Sequence, residues 1–378
     1  MASKSEVFES FVTKFGTPEY QVTVPGRVNI IGEHTDYNDG FVLPFTMDRY
    51  TWIYAKKSEK LRIYAVDYQE FFEPNIHVKS SWMKYVESIL TEISSIANRE
   101  IRPLKLAFGG NIPIGAGVSS SSAMVCGFVA LFNESMNLGL NKGEMISLAS
   151  KIEHGSGVLG GKMDQTAIFK SQKGNALLLD CKNETTSMVK IPEQWQFYLV
   201  NTNVKHELID SDYNDRRQKM EEVKTLLKRA FKTSLRQITG ADLESIKPYF
   251  QHTVLEMVQF VLEENQRVKD MVESMKNGEI KGAGKLLYKS HEGLSKKYKV
   301  SCEELDFVVE ECRNNQDIYG ARMMGAGFGG CVLALTMVNT NLERWYSITN
   351  RLYENRFGRG LDLIKVRSSN PLIMKNLN

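Results

Sequence analysis

Short stretches of this chain hold residues whose types and spacing could do chemistry. In GGNIPIGAGVSSSSAM (109–124), Gly115 and Gly117 bracket Ala116, and four consecutive serines open an apolar helix. Glycines let a backbone approach a ligand, serines cap helix starts, and unpaired N–H groups there attract anions, so a phosphate would sit well on this loop. A plain turn capping a core helix has the same composition. No G-x-x-x-x-G-K-[ST] string occurs, which excludes a P-loop NTPase. In PGRVNIIGEHTDYNDG (25–40), Arg27, Glu33, His34, Asp36 and Asp39 stand among turn residues directly after the strand-like YQVTV. Donors and acceptors held on a loop suit a polyhydroxylated ligand. Zinc ligation by Glu33, His34 and Asp36 is a weaker reading, because sequence neighbours do not converge easily on one ion and no partner histidine stands at ligand spacing.

KIEHGSGVLGGKMDQTAIF (151–169) places Glu153 on a predicted helix and Asp164 after a Gly-rich turn, two carboxylates in an otherwise apolar stretch. Such groups serve as Mg²⁺ ligand and general base, or simply as helix caps. RMMGAGFGGCVLAL (322–335) is a second Gly-rich turn, here before an apolar strand; alone it is equally a tight turn packed against a neighbour.

These segments must be positioned by 378 residues, 42% hydrophobic and 25% charged, with 48 Lys plus Arg against 45 Asp plus Glu. At roughly 100–200 residues per domain this length implies two domains, and the composition excludes a disordered or collagenous chain. A net charge of +3 with interleaved signs offers no broad basic surface. We therefore expect no nucleic-acid or membrane partner, and any phosphate chemistry must come from a local site. Cys126, Cys181, Cys302, Cys312 and Cys331 are scattered and never form a C-x-x-C pair, which argues against a disulfide framework and for a reducing, cytoplasmic compartment. MASKSEVFESFVTKF reads as an amphipathic surface helix, and AMVCGFVALF has about half the length of a membrane span.

YQVTV, GFVLPF, YTWIYA and LRIYAV read as a small sheet, and LKLAF (104–108) as a buried strand. Trp82, Tyr85, Val86, Ile89, Leu90 and Ile93 recur at helical spacing, as do Met220, Val223, Leu226, Leu227 and Phe231. NALLLD, QFYLVNTNV, GCVLALTMV (330–338) and LDLIKV (361–366) read as further strands. This mixed order predicts an α+β protein rather than a doubly wound sheet. Length and the return of β pattern divide it into residues 1–184 and 185–378.

In combination the segments resemble the galactokinases of the GHMP kinase superfamily. PGRVNIIGEHTDYNDGFVLP is similar to the galactokinase signature, PIGAGVSSSSA to the superfamily's ATP loop and RMMGAGFGGC to its third motif. NTNVKHELIDSDYNDRRQ (201–218) and SHEGLSKKYKVSCEELD (290–306) resemble further galactokinase blocks. Five segments in order are far more specific than any one of them.

The resemblance implies a two-lobed GHMP-kinase fold, with a ribosomal-S5-domain-2-like N-terminal lobe, a ferredoxin-like C-terminal lobe and the active site between them. It implies transfer of the γ-phosphate of ATP to the anomeric hydroxyl of galactose, with Mg²⁺ as cofactor. Gly115, Ala116, Gly117, Val118, Ser119, Ser120 and Ser121 would cradle the triphosphate, Trp82 would pack on the adenine, and Ser121 with Glu153 would hold Mg²⁺. Asp164 would accept the hydroxyl proton beside Arg27, and Glu33, His34, Thr35, Asp36, Gly161 and Tyr213 would contact the sugar. The partners expected are the sugar and ATP, acting on a monomer. Lys162, Met324, Ala326 and the Lys296–Lys297 pair depart from the usual pattern. A cation two residues from the proposed base would bind phosphate or lower the pKa of Asp164. These departures bear on sugar choice, leaving N-acetylgalactosamine or arabinose as other substrates, and a non-catalytic sensor of galactose and ATP as a reading from another class. A mevalonate-type kinase fits less well, because the EHTDY block suits a neutral polyol.

Overall fold

The strand that begins at YQVTV runs on through the signature: β1 spans Tyr20–Asn29, with a register shift between Pro25 and Arg27 against its neighbour β3 (Pro44–Lys57). Proline cannot donate to the ladder, and the bulge re-aims the residue after it, here Arg27. The computed structural model describes residues 1–74, 80–98, 101–157, 159–204 and 209–377, leaving aside the side chains of 209–211. Val158 of the Gly-rich turn and 205–208 of the segment 201–218 lie outside the described residues.

The other strands are β2 (Phe41–Val42), β4 (Arg62–Ala65), β5 (Glu70–Phe72), β6 (Leu104–Gly110), β7 (Asn175–Asp180), β8 (Thr185–Lys190) and β9 (Trp195–Asn201). β10 (Ile318–Met323), β11 (Cys331–Met337), β12 (Asp362–Val366) and β13 (Ile373–Asn376) follow. Helices α1 to α5 cover Lys4–Phe15, Ser81–Ala97, Ser120–Met136, Lys142–Gly155 and Met163–Lys170. Helices α6 to α11 cover Ile209–Leu226, Gly240–Ile246, His252–Asn277, Ile280–Gly293, Glu303–Arg313 and Glu343–Phe357. Among the described residues no helix is long and apolar enough to cross a membrane, and all five cysteines are free.

One sheet has six strands in the order β13-β1-β3-β6-β4-β5, antiparallel except for the β4–β6 pair. α1 lies on it as the sequence predicts, closed by a Ser3–Glu6 capping box and burying Val7, Phe11 and Phe15 on one stripe. α3 is apolar nearly all round because it runs through the core, against β1, β3 and helices α2, α4 and α5. The second sheet, β10-β11-β9-β12, is wholly antiparallel and carries α9 and α10 against β10.

The division expected from length and composition lies at residue 185. It falls on the first residue of β8, which pairs along its length with β7, and β13 returns from the far end of the chain to pair with β1. Hairpin pairing and a strand that crosses back, rather than composition, decide where the lobes meet. α8 joins them on the other side, where Glu264 accepts from the Gly32 amide at 3.0 Å and Asn265 accepts from the Phe41 amide at 2.8 Å.

Candidate active site

The bulge in β1 delivers Arg27, 5% exposed, to the start of the Gly/Ser loop. Its Nη1 donates to the Gly117 oxygen at 2.5 Å, while Nε and Nη2 fork onto the two oxygens of Asp164 at 2.7 and 3.1 Å. A bidentate guanidinium fixes the plane of a carboxylate as well as its charge. Asp164 is the second residue of α5, and it also accepts from the Ser119 hydroxyl. Ser119 sits at φ +63°, turning the loop into the N-terminus of α3.

Two cavities open on either side of this pair. The first, about 140 Å³, is lined by Arg27 and Asp164 together with Glu33, His34, Asp36, Gly161 and Tyr213. The second, about 450 Å³, is lined by the same Arg27 and Asp164, by Gly115, Gly117 and Val118 to Ser121, and by Tyr68, Trp82 and Tyr85. Arg27, Asp164, Ser121, Gly325 and Ala326 face both. Residues far apart in the chain thus form one shared wall between a small polar pocket and a larger pocket with aromatic lining.

The C-terminal loop after β10 closes that wall by backbone contact. A Cβ built on Gly325 would lie 2.8 Å from the Gly117 Cα, and both glycines have positive φ, 78° and 73°. Only glycine permits that approach in that conformation. In the smaller pocket, the Gly161 amide donates to Asp36 Oδ2 at 3.0 Å, and a Cβ there would come within 2.3 Å of the same oxygen. Burial, with the charge of Asp164 nearby, pushes the Asp36 carboxyl up to about 6. Burial likewise pushes His34 down to about 4, so its ring is neutral.

Glu153 is buried on α4 and accepts from Ser122 Oγ at 2.7 Å and from the Gln165 amide. Burial raises its pKa to about 8. A carboxyl raised in this way contributes stability that is full below its unfolded value of 4.5 and is lost as pH rises through 8. Glu153→Gln is therefore expected to flatten the fall in melting temperature between pH 6 and pH 9 and to melt above the wild type at pH 9. Melting curves of both proteins without added ligand check this.

Most of the site residues singled out in the sequence meet at these cavities, but Thr35 and Ala116 do not. Thr35 is fully buried, and its hydroxyl, 2.7 Å from the oxygens of both Gly32 and Phe41, shares its one hydrogen between them and holds the signature loop closed. Ala116 is buried in the core beneath the loop. Ser122, not Ser121, touches both Glu153 and Asp164. Lys162 turns away from Asp164: its Nζ pairs with Glu184 at 2.6 Å and lines a separate cavity of about 240 Å³. Arg322 opens the segment 322–335 and is not among the residues to which the sequence assigns a role. Fully buried on β10, it donates to the backbone oxygens of Asn29, Ile30 and Met323 and to Glu33, whose Oε1 also takes the Gly325 amide at 2.9 Å. Its signal was a lone cation inside an otherwise apolar strand.

Three family models match the chain in order: the galactokinase galactose-binding signature over residues 9–57, the GHMP kinase N-terminal domain over 84–172 and the GHMP kinase C-terminal domain over 271–350. The galactokinase of Thermotoga maritima is 39% identical over 354 residues, covering 92% of this chain and 98% of its own. The chain belongs to the galactokinase family. The galactokinase of Pyrococcus furiosus is 36% identical over 318 residues, covering 83% of this chain and 88% of its own. The Lactococcus lactis galactokinase crystallised with galactose superposes with a TM-score of 0.88 at 28% identity, over 98% and 99% of the two chains. A Methanococcus jannaschii mevalonate kinase shares the GHMP fold at 18% identity and a TM-score of 0.63, over 94% and 100% of the two chains. Of the departures from the usual galactokinase pattern, Met324 is buried in the core and lines neither cavity, whereas Ala326 faces both. Lys296 and Lys297 pair with Glu292 and Glu263.

Proposed function

We propose that this protein transfers the γ-phosphoryl group of ATP to the anomeric hydroxyl of galactose, giving galactose 1-phosphate and ADP. The observation that carries the reading is the Arg27–Asp164 pair standing in the wall shared by two cavities. Galactose occupies the smaller one, where Glu33, His34, Asp36 and Tyr213 present polar atoms to its hydroxyls. ATP occupies the larger, its phosphates along Gly115 to Ser121 at the N-terminus of α3, where backbone N–H groups and the helix dipole favour anions. Asp164, oriented by the Arg27 fork, takes the proton of the anomeric hydroxyl as its oxygen attacks the γ-phosphorus. Arg27, beside it, faces the charge on the transferring group. Such chemistry asks for positioning and charge neutralisation more than for covalent catalysis.

The residues fit Mg²⁺. The hydroxyls of Ser121 and Ser122, the Glu153 carboxyl, which would ionise on binding the cation, and the Gln165 amide oxygen would form an all-oxygen donor set of the kind this ion prefers, and Gln165 Oε1 is buried without a partner. When bound, the ion would neutralise charge on the phosphates.

Trp82 lines the larger cavity, with its ring edge-on to Phe108 and its Nε1 donating to Glu70. Stacking a base on an aromatic ring is worth ~1–3 kcal/mol. Trp82→Ala is therefore expected to raise the KM for ATP roughly 5- to 150-fold while leaving the KM for sugar in place, as steady-state kinetics with each substrate varied will show.

The function is tested by measuring ADP release with ATP and, in turn, galactose, N-acetylgalactosamine, arabinose and glucose, and by locating the product phosphate by ³¹P NMR. Galactose-dependent ADP release with phosphate on the anomeric carbon is expected. Preference for another sugar would move the substrate, and no ADP release with any sugar would leave the sensor reading.

A further inference from the structure

Behind the smaller cavity runs a chain of buried polar atoms that phosphoryl transfer does not use directly. Asn38 Nδ2 donates to the His34 backbone oxygen at 2.7 Å, which fixes the amide's orientation. Its other hydrogen serves Tyr298 Oη at 3.3 Å; Tyr298 Oη lies 3.1 Å from Tyr37 Oη, and Tyr37 Oη lies 2.7 Å from His34 Nδ1. All four side chains are buried. Tyr298 comes from the C-terminal lobe and the other three from the signature loop.

The direction of this chain follows from counting protons. Tyr298 Oη accepts from Asn38, so its own proton needs an acceptor, and among the described residues Tyr37 Oη is the one within reach. Tyr37 then gives its proton to His34 Nδ1, and every hydrogen is used. In the reverse direction His34 Nδ1–H donates to Tyr37 and Tyr37 to Tyr298, which leaves the Tyr298 proton buried with no acceptor. Orphaned buried donors are costly and rare.

We propose that Tyr298 and Tyr37 are positioning residues that hold His34 as its Nε2–H tautomer, so that Nε2 donates a hydrogen bond to a hydroxyl oxygen of the sugar. This rests on the reading of the smaller cavity as the sugar site. Two further observations agree with it. His34 lines that cavity, and its Nε2 is buried without a partner in the protein. Burial keeps the ring neutral, so it has one proton to place. Because Tyr298 belongs to the C-terminal lobe, the tautomer is set only when the lobes are docked.

The test reads the ring nitrogens directly. With ¹⁵N-histidine label and His34→Gln to assign His34 among the six histidines, NMR of the sugar-free, nucleotide-free protein should show Nε2 protonated and Nδ1 unprotonated. Asn38→Asp replaces the donor that orders the chain with an acceptor, and should move the proton to Nδ1. It should raise the KM for sugar about tenfold, the size expected for one lost hydrogen bond, with the KM for ATP unchanged. Tyr298→Phe, which removes the ordering hydroxyl without adding charge, should give a mixture of tautomers and a smaller rise. A wild-type Nδ1–H signal overturns the proposal. So do unchanged nitrogen shifts in Tyr298→Phe, or a shifted tautomer with an unchanged sugar KM, since Nε2 would then not reach the sugar. The nitrogen signals are recorded without sugar, so an Nε2–H result in a protein that phosphorylates a different sugar would revise the substrate and keep the relay.

Discussion

Asp164→Asn is expected to lower kcat by about 10²- to 10⁴-fold, the range a positioned general base contributes, while the protein still folds and still binds ATP. The substitution keeps the shape of the group. With its oxygen in the Oδ2 position it can still accept from Arg27 Nη2 and Ser119, whose contacts place it in the wall between the two cavities. What it removes is the ability to take a proton, together with the acceptor for Arg27 Nε. ATP binding can be followed through the fluorescence of Trp82, which lines the nucleotide cavity, and should be at least as tight as in the wild type because one negative charge has left the phosphate end. Single-turnover measurements with galactose then isolate the chemical step. Undiminished turnover would take Asp164 out of the reaction.

Arg322→Met should have the largest effect on stability, about 3–5 kcal/mol, as expected when one partner of a buried ion pair is removed. The guanidinium is fully buried; its donors reach the backbone oxygens of Asn29 and Ile30 and the Glu33 carboxylate across the lobes, and that of Met323 beside it. Methionine fills the volume but takes the guanidinium away from the buried Glu33 carboxylate, leaving the Gly325 amide donating to its Oε1. A drop in the urea midpoint measures the loss, and adding Glu33→Gln should recover part of it, because the uncompensated charge is then gone. A midpoint that does not move in Arg322→Met would show that water reaches Glu33 and carries the charge instead.

Much of this arrangement was legible in the sequence. The signature loop, the Gly/Ser loop and the 151–169 segment each offered residue types that only make sense together, and Arg27 and Asp164 do meet. What was not legible has physical reasons. Adjacent serines on a helix point about 100° apart, and nothing in SSSS tells which one faces Glu153; the structure gives that contact to Ser122. Lys162 stands two residues from Asp164, yet it caps the start of α5 while its side chain leaves toward Glu184. Sequence proximity says little about direction once a helix begins. Arg322 sits in a strand of which every residue but Tyr319 is buried, and most of its need for partners is met by Asn29, Ile30 and Glu33, far away in the chain, which local pattern cannot show.

The pairing of β1 with β13 has a consequence for how the protein is made. Tyr20 faces Asn376 and Thr23 faces Ile373. At roughly 5–20 residues per second, synthesis of the intervening chain takes on the order of tens of seconds. Throughout that interval β1 has its Tyr20–Thr23 edge without its native partner, and such edges recruit other chains. Until Ile373–Asn376 emerge, the growing polypeptide therefore carries the Tyr20–Thr23 edge open to pairing with other chains.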